Sequence, residues 1–210
     1  MTRFLIVLFC LVALTGCKIV FEDEADTTAI PDGPEGDDAR NAARLEETFD
    51  KQLLPLIEAR ALSVAALRDE LGRGLDVAGA AHATQGAGRG AAWNFAVADT
   101  GKVVEANLTS SARTAEVDVD GDGAADLRLQ LGPVIRGTAL RDVAPFYNFD
   151  DFRDQIEYAK LARAINDQIK PTLVVPDVLV GETISFVGVV PLKSAGEQMV
   201  VTPISVGVME

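Results

Sequence analysis

Four aspartates in one short segment have the residue type and spacing of a metal site: Asp118, Asp120, Asp122 and Asp126. Carboxylate oxygens at alternate positions, with a glycine at the turn, resemble the first half of a calcium-binding loop. The resemblance ends there, because the twelfth position counted from Asp118 is Leu129 instead of a bidentate glutamate. Two interpretations follow: a weak calcium site, or a β-hairpin whose Asp-Gly pairs form the turn. The hairpin is favoured, since the flanking residues alternate as they do in strands.

A second group of charged residues, Arg136, Arg141 and Asp142, lies in the Gly- and Pro-containing segment that follows an apolar strand. Two guanidinium groups could bind a carboxylate or a phosphate of a small ligand. The alternative is a structural ion pair, in which Asp142 pairs with one arginine and fixes an irregular loop. The sequence favours the ion pair and leaves ligand binding as a hypothesis.

The inventory of reactive residues excludes several classes of function. His82 is the only histidine, and Cys10 and Cys17 are the only cysteines, so no Ser-His-Asp, Cys-His or multi-histidine metal site is expected. Acidic residues outnumber basic residues 32 to 19, which gives a net charge of −13. A basic surface for nucleic acid is therefore not expected.

One enzymatic alternative is a carboxylate-based glycan hydrolase, which needs two acids that face one cleft. Asp142, Asp150 and Asp151 lie near one another in the sequence, but capping of a helix accounts for the last two. We therefore expect a protein without enzymatic activity, and no cofactor other than weakly bound calcium.

The N-terminal segment is typical of a lipoprotein leader. Arg3 precedes the apolar run 4–14, which is too short to span a bilayer, and the sequence Leu-Thr-Gly at 14–16 precedes Cys17. This ending resembles a bacterial lipobox, which implies that residues 1–16 are a signal peptide and that Cys17 becomes the acylated N-terminus. Lys18 follows in place of the aspartate that commonly signals inner-membrane retention, which slightly favours the outer membrane of a Gram-negative host.

Helical and flexible segments come next in the chain. Residues 17–38 are rich in Asp, Glu, Gly and Pro and are predicted to be a tether. Apolar residues at helical spacing predict a helical segment over 39–74, broken or kinked at Pro55. Residues 78–90 are predicted to be a loop, with His82 exposed.

Residues 90–210 are predicted to form the main domain, in the α+β class. Strands are expected at 93–98 and 102–108 (a hairpin or one long strand), 115–119, 127–131, 181–190 and 200–208. A long amphipathic helix capped by Asn148 or Asp150 should run from Phe149 to Ile169. Three strands, a helix and two closing strands are the element order of a five-stranded, partly open OB-like barrel.

Several motifs resemble the uncharacterised family of predicted periplasmic lipoproteins: the lipobox, Trp93-Asn94-Phe95, the segment 131–142 and Pro145-Phe146. Members of that family often lie beside importers of the ribose or simple-sugar type. The resemblance implies a membrane-anchored accessory protein of a sugar importer, and no catalytic residue. A structural envelope lipoprotein without a small ligand is the alternative, because the aromatic residues that could stack on a sugar (Trp93, Phe146 and Tyr147) are expected to pack internally.

Overall fold

The structure is a computed structural model that describes residues 29–209. The predicted signal peptide, Cys17 and the predicted tether up to residue 28 lie outside those residues. The chain divides into a unit of residues 1–31 and a unit of residues 32–210, and the second contains every helix and strand of the described part.

The elements of the described part follow in chain order. The helices are α1 (Asp37–Thr48), α2 (Leu54–Arg60), α3 (Val64–Leu71), α4 (Leu75–His82), α5 (Ala139–Asp142) and α6 (Gln155–Ile169). The strands are β1 (Ala83–Gln85), β2 (Trp93–Asn107), β3 (Ala112–Asp118), β4 (Leu127–Pro133), β5 (Thr183–Leu192) and β6 (Met199–Val208). Short 3-10 turns lie at Pro34–Gly36, Phe149–Asp151 and Lys170–Thr172, and a π-helical turn at Phe49–Leu53 joins α1 to α2.

Five of these strands form a closed ring. β2 pairs with β3, and β3 with β4, in antiparallel fashion. β4 then pairs in parallel with β6, β6 pairs with β5, and β5 returns to β2. This order, with α6 between the third and fourth strands of the ring, confirms the predicted OB-like barrel. The short strand β1 adds to the end of β2.

The first strand of the ring is continuous through Gly101, which decides between the hairpin and the long strand left open by the sequence. At Gly101 a Cβ atom would stand 2.5 Å from the carbonyl oxygen of Asp118. Only glycine allows the backbones of β2 and β3 to approach so closely. The glycine therefore serves this close approach, and β2 continues through it as one strand.

The domain has two apolar clusters on opposite sides of the strands. One fills the barrel with the alternate side chains of the strands, such as Phe95, Val117 and Leu129, and α3 covers it with Leu67. The other lies between the outer face of the barrel and the helices α1, α2 and α6, where Ile165 is fully buried. The apolar stripe predicted for the long helix therefore belongs to the second cluster.

The helical segment differs from the prediction at Pro55, where no break occurs. The chain is helical from Asp37 to Arg60, because the π-helical turn precedes α2 and Pro55 lies in the first turn of α2, where a missing N–H is tolerated. The break lies instead at residues 61–63. There the Leu62 N–H donates to the Ala96 carbonyl, and the Leu62 carbonyl accepts from the Ala98 N–H. Pairing with the barrel ends the helix.

The predicted loop over 78–90 is wrong for its first eight residues, which belong to α4 and β1. Gly79 lies directly under the Trp93 indole, where a Cβ atom would be 2.2 Å from the ring. Glycine at this position permits the close packing, which offsets its own low helix preference, while the alanines of the segment favour a helix. The side chain of His82 is partly exposed, with Nε2 3.8 Å from a Glu70 oxygen.

The long helix begins later than predicted. α6 starts at Gln155, and its N-cap is Asp154, whose carboxylate accepts from the N–H groups of Ile156 and Glu157. Asn148 caps the preceding 3-10 turn instead. In the part of the chain that the structure describes, no helix has the length and apolar character needed to cross a membrane.

Candidate functional site

The main candidate site is an open cleft of about 680 Å³ on the outside of the barrel. Outward side chains of β3, β4 and β6 form its floor, and the segment 136–142 and residues of the loop after β1 form its walls. The structure brings all three predicted ligand-binding residues, Arg136, Arg141 and Asp142, to this cleft. Arg128 and Lys193 also line it, and sequence reasoning missed both.

Arg141 lies at the base of the cleft and is held on three sides. Its Nε donates to Asp142 Oδ1 at 2.7 Å, and its Nη1 donates to the Tyr158 carbonyl at 2.9 Å. Its Nη2 lies 2.6 Å from Asp142 Oδ1, and the guanidinium stacks 3.5 Å from the centre of the Tyr158 ring. The contact with Asp142 is the ion pair that the structural interpretation describes, and the contacts with Tyr158 join α5 to α6.

Asp142 has little capacity left for chemistry. Its Oδ1 accepts from Arg141 and, at 3.4 Å, from the Tyr158 hydroxyl, while its Oδ2 accepts from the Thr138 hydroxyl at 2.6 Å. Burial raises the pKa of the Tyr158 hydroxyl, so that it remains a neutral donor. A carboxylate with all these partners is a fixed structural anion.

Arg136 differs from Arg141, because only its backbone is held. Its N–H donates to Gln130 Oε1 at 2.8 Å, and its carbonyl accepts from Gln130 Nε2 at 3.1 Å. The same Nε2 also donates to the Thr202 hydroxyl at 2.9 Å, which ties the segment to β6. The Arg136 side chain is exposed and makes no hydrogen bond or ion pair with the described residues.

The charge lining the cleft is opposite in sign to that of the whole chain. Four basic residues and one acidic residue line it, in a protein with a net charge of −13. Arg128 is neutralised by Glu116, whose Oε1 lies 2.5 Å from its Nε. Arg141 is neutralised by Asp142. Arg136 and Lys193 therefore supply the net positive charge of the cleft, since neither has an ionic partner among residues 29–209.

The aromatic residues considered for sugar stacking lie outside this cleft. The Trp93 indole Nε1 donates to Asp76 at 3.1 Å, with its ring against Gly79. Phe146 and Tyr147 pack edge to face, 4.7 Å between ring centres, and Tyr147 is buried. No aromatic side chain of the described residues lines the cleft. Aromatic side chains do line two smaller adjoining cavities, of about 250 and 380 Å³: Tyr158 and Phe149 reach both, and Tyr147 reaches the first.

The aspartate segment forms the turn between β3 and β4, as the hairpin interpretation describes. Three of the four aspartates, Asp118, Asp120 and Asp126, bring one carboxylate oxygen each within 4.8 Å of one another. Asp122 does not join them and accepts from the Ala124 N–H. The geometry alone would suit a cation, so the hydrogen bonds of the cluster decide its chemistry.

Those carboxylates already have partners from the loop. The two oxygens of Asp118 accept from the N–H groups of Gly121 and Gly123, at 2.7 and 2.9 Å. Asp126 accepts from the Val119 N–H at 2.6 Å and from the Arg68 guanidinium at 2.5 Å. Burial raises the pKa of the Asp126 carboxyl, but these donors outweigh it and the pKa is lowered. Arg68 supplies the positive charge that a metal ion would bring.

A buried ionic network between α1 and α6 was not foreseen from the sequence. Glu157 is almost fully buried and accepts from Arg40 at 2.9 Å, from Arg44 at 2.8 Å and from the Arg153 N–H at 2.8 Å. Burial raises the pKa of Glu157, but these hydrogen bonds lower it to about 2. Asp37, also buried, pairs with arginine and lysine side chains of the same network. The spacing of Arg40 and Arg44 by one helical turn was the available signal.

Fold and cleft together define a class: a small OB-type barrel with a helical cover and a cationic surface cleft. The chain belongs to the family described as predicted periplasmic lipoprotein (DUF2291), whose sequence profile matches residues 7–207. Membership places the protein in the cell envelope, anchored to a membrane and facing the periplasm.

A solved structure supports the fold. The chain is similar to the crystal structure of an OB-fold protein from Thermotoga maritima, at a TM-score of 0.56 and 15% sequence identity. The superposition covers 82% of this chain and 96% of the other. A search of curated protein sequences finds no match.

Proposed function

We propose that this periplasmic lipoprotein is a non-enzymatic protein that binds a small polar solute in its cleft and assists a sugar importer. The observation that carries solute binding is the cleft itself, which is open, has the size of a small-molecule site and is lined by Arg136 and Lys193, whose side chains have no ionic partner among the described residues. The link to an importer rests on the family resemblance alone.

The proposed anchor is the acylated Cys17. Its support is the lipobox-like sequence before it and the lipoprotein family of the chain. Two or three acyl chains would hold the folded domain at a membrane surface, and Lys18 favours the outer membrane in a Gram-negative host. Globomycin, which blocks the lipoprotein signal peptidase, should cause the uncleaved precursor to accumulate, and Cys17→Ser should prevent acylation.

The enzymatic alternative needs a free acid in the cleft, and none is found there among residues 29–209. Asp142 is the acid that lines it, and Asp142 is occupied by Arg141, Thr138 and Tyr158. Asp150 and Asp151 are exposed in the 3-10 turn and do not line the cleft. We expect no release of chromophore from nitrophenyl glycosides. Turnover that Asp142→Asn abolishes would overturn the non-enzymatic assignment.

Solute binding is tested by thermal unfolding of the purified full-length lipoprotein in detergent. A chain shortened to start after Asp38 is unsuitable, because it would lack the buried carboxylate of Asp37. Neutral and charged monosaccharides are added one at a time. A solute that binds the folded state raises the Tm by mass action. Absence of any shift across the panel would favour the structural envelope lipoprotein.

The importer hypothesis has a separate test. The lipoprotein is mixed with the purified periplasmic binding protein of a simple-sugar importer from the same organism, with and without sugar. Co-elution on size exclusion, lost when the cleft is blocked by Thr114→Arg, would support a role that involves the cleft. Separate elution under all conditions would remove the importer from the proposed function.

A further inference from the structure

The cleft holds uncompensated positive charge in a strongly acidic protein. Arg136 and Lys193 extend from different segments, one after β4 and the other at the end of β5, and both line the same cavity. Neither has an ionic partner among the described residues. Two cations that line one cavity repel each other, and an anion bound between them would reduce that repulsion.

Arg141 contributes hydrogen-bond donors to the same cavity. A guanidinium has five N–H donors in a fixed plane. The described residues engage three of them, through Nε, Nη1 and Nη2. One donor on each terminal nitrogen is left, and Arg141 lines the cleft. Its own bonds to Asp142 and Tyr158 hold the plane in place, so the remaining donors are preorganised for an acceptor.

The rest of the lining combines hydroxyl and amide groups with small apolar side chains. Thr114 offers a hydroxyl, and the buried Asn94 reaches the cleft with its amide nitrogen engaged by two carbonyl groups. Alanine, proline and valine residues line much of the remainder, and no aromatic ring of the described residues is present to stack on the apolar face of a neutral sugar. Charge and hydrogen bonds would therefore distinguish an anionic solute from a neutral one.

We infer that the cleft recognises its solute through a carboxylate or phosphate group held by Arg136, Arg141 and Lys193. The solute class is a sugar acid or a sugar phosphate, and the shared chemistry is a planar or tetrahedral oxyanion on a polyhydroxylated body. This inference rests on the proposed solute binding and specifies which chemical group of the solute the cleft recognises.

The test is titration calorimetry on the full-length lipoprotein in detergent with galacturonate, glucose 6-phosphate and inorganic phosphate. Galactose and glucose are the neutral counterparts. At least one anionic sugar should bind at least about tenfold more tightly than its neutral counterpart, because charge-assisted hydrogen bonds are stronger than neutral ones. Galacturonate alone would identify a carboxylate site, whereas glucose 6-phosphate displaced by inorganic phosphate would identify a phosphate site.

Variants assign the binding to the cleft. Arg136→Ala should weaken binding of the anionic sugar by about tenfold or more. The matched control is Arg163→Ala, which removes the same charge from the exposed face of α6 and should leave the affinity unchanged. Raising the salt concentration should weaken binding to the native protein and have less effect on Arg136→Ala.

Other outcomes separate this inference from the function on which it rests. Neutral sugars that bind as tightly as anionic ones, with no effect of Arg136→Ala, would overturn the oxyanion site and leave solute binding intact. No heat from any neutral or anionic sugar would overturn both. Equal losses in Arg136→Ala and Arg163→Ala would show a general charge effect and would also overturn the site.

Discussion

The turn between β3 and β4 and the cleft beside β4 are both rich in charge, but their charges are used differently. In the turn, each oxygen of Asp118 accepts a backbone N–H, and Asp126 accepts from the loop and from Arg68. In the cleft, Arg141 is similarly engaged, whereas Arg136 and Lys193 have no ionic partner among the described residues. The carboxylates Asp118 and Asp126 of the turn have hydrogen-bond partners in the loop and in Arg68, whereas two cations of the cleft have no ionic partner among residues 29–209.

A dense cluster of charged side chains is therefore weak support for a ligand-binding site unless some of those side chains lack protein partners. The aspartates match a metal-binding spacing, yet they stabilise a hairpin. Arg136 matches no ligand-binding pattern, yet Gln130 holds its backbone and its side chain makes no hydrogen bond or ion pair with the described residues. Charged side chains that have ionic or hydrogen-bonding partners should therefore control stability. Those without such partners among the described residues should control solute binding.

The largest expected effect comes from the engaged arginine of the cleft. Arg141→Met should lower the free energy of unfolding by about 3 kcal/mol or more, because it leaves the nearly buried Asp142 without its cation. Urea unfolding measures the change. The double variant Arg141→Met/Asp142→Asn should recover part of the loss, and a single variant as stable as the native protein would contradict the assignment.

Glu157 is an almost fully buried acid that two arginine side chains and a backbone N–H engage. Its folded pKa of about 2 lies below the ordinary value of 4.5, so its contribution is complete above pH 4.5 and is lost as the pH falls toward 2. The difference corresponds to about 3 kcal/mol of stability. Urea unfolding between pH 6 and pH 2 should show this loss in the native protein. Glu157→Gln should show a flatter pH dependence, and parallel curves would refute the prediction.

Asp118 should have a smaller effect. Asp118→Ala removes the acceptors of the Gly121 and Gly123 N–H groups and should cost about 2 kcal/mol of unfolding free energy. Asp122→Ala is the control, since Asp122 is exposed and its change should cost about 0.5 kcal/mol or less. Similar costs for both variants would show that the turn does not depend on Asp118.

Arg136 should be nearly silent in stability. Arg136→Ala should change the free energy of unfolding by about 0.5 kcal/mol at most, because the exposed side chain has no described partner and the Gln130 bonds involve only its backbone. The same variant should lose the Tm shift produced by a bound solute. Unfolding of this variant would instead support a structural role for Arg136.

Calcium should have the smallest effect. Arg68 pairs with two of the three clustered aspartates, and backbone N–H groups engage Asp118, so millimolar calcium should leave the Tm unchanged and give no binding heat. The variant Arg68→Ala is the sharper test, because it frees the carboxylates. Calcium binding by the native protein would show that the loop carries a metal site despite its internal hydrogen bonds.

The barrel could be predicted because its signal is local. Alternation of apolar and polar residues, as at Leu127, Leu129 and Leu131, identifies a strand that is buried on one face, and the order of strands and helix suggests the topology. Charge excess, the absence of a multi-histidine site and the lipobox are likewise properties of composition and short motifs.

Tertiary contacts decided the rest, because they join residues far apart in the chain. Leu62 ends a helix by pairing with a strand more than thirty residues later, and Trp93 packs on Gly79 to order a helix predicted as a loop. The partners of a charge are also distant, as Arg68 with Asp126 and Arg44 with Glu157 demonstrate. The sequence shows that the charges of the turn and of the cleft are present. Only the folded chain decides that those of the turn have hydrogen-bonding partners and that Arg136 and Lys193 have no ionic partner in the part of the chain that the structure describes.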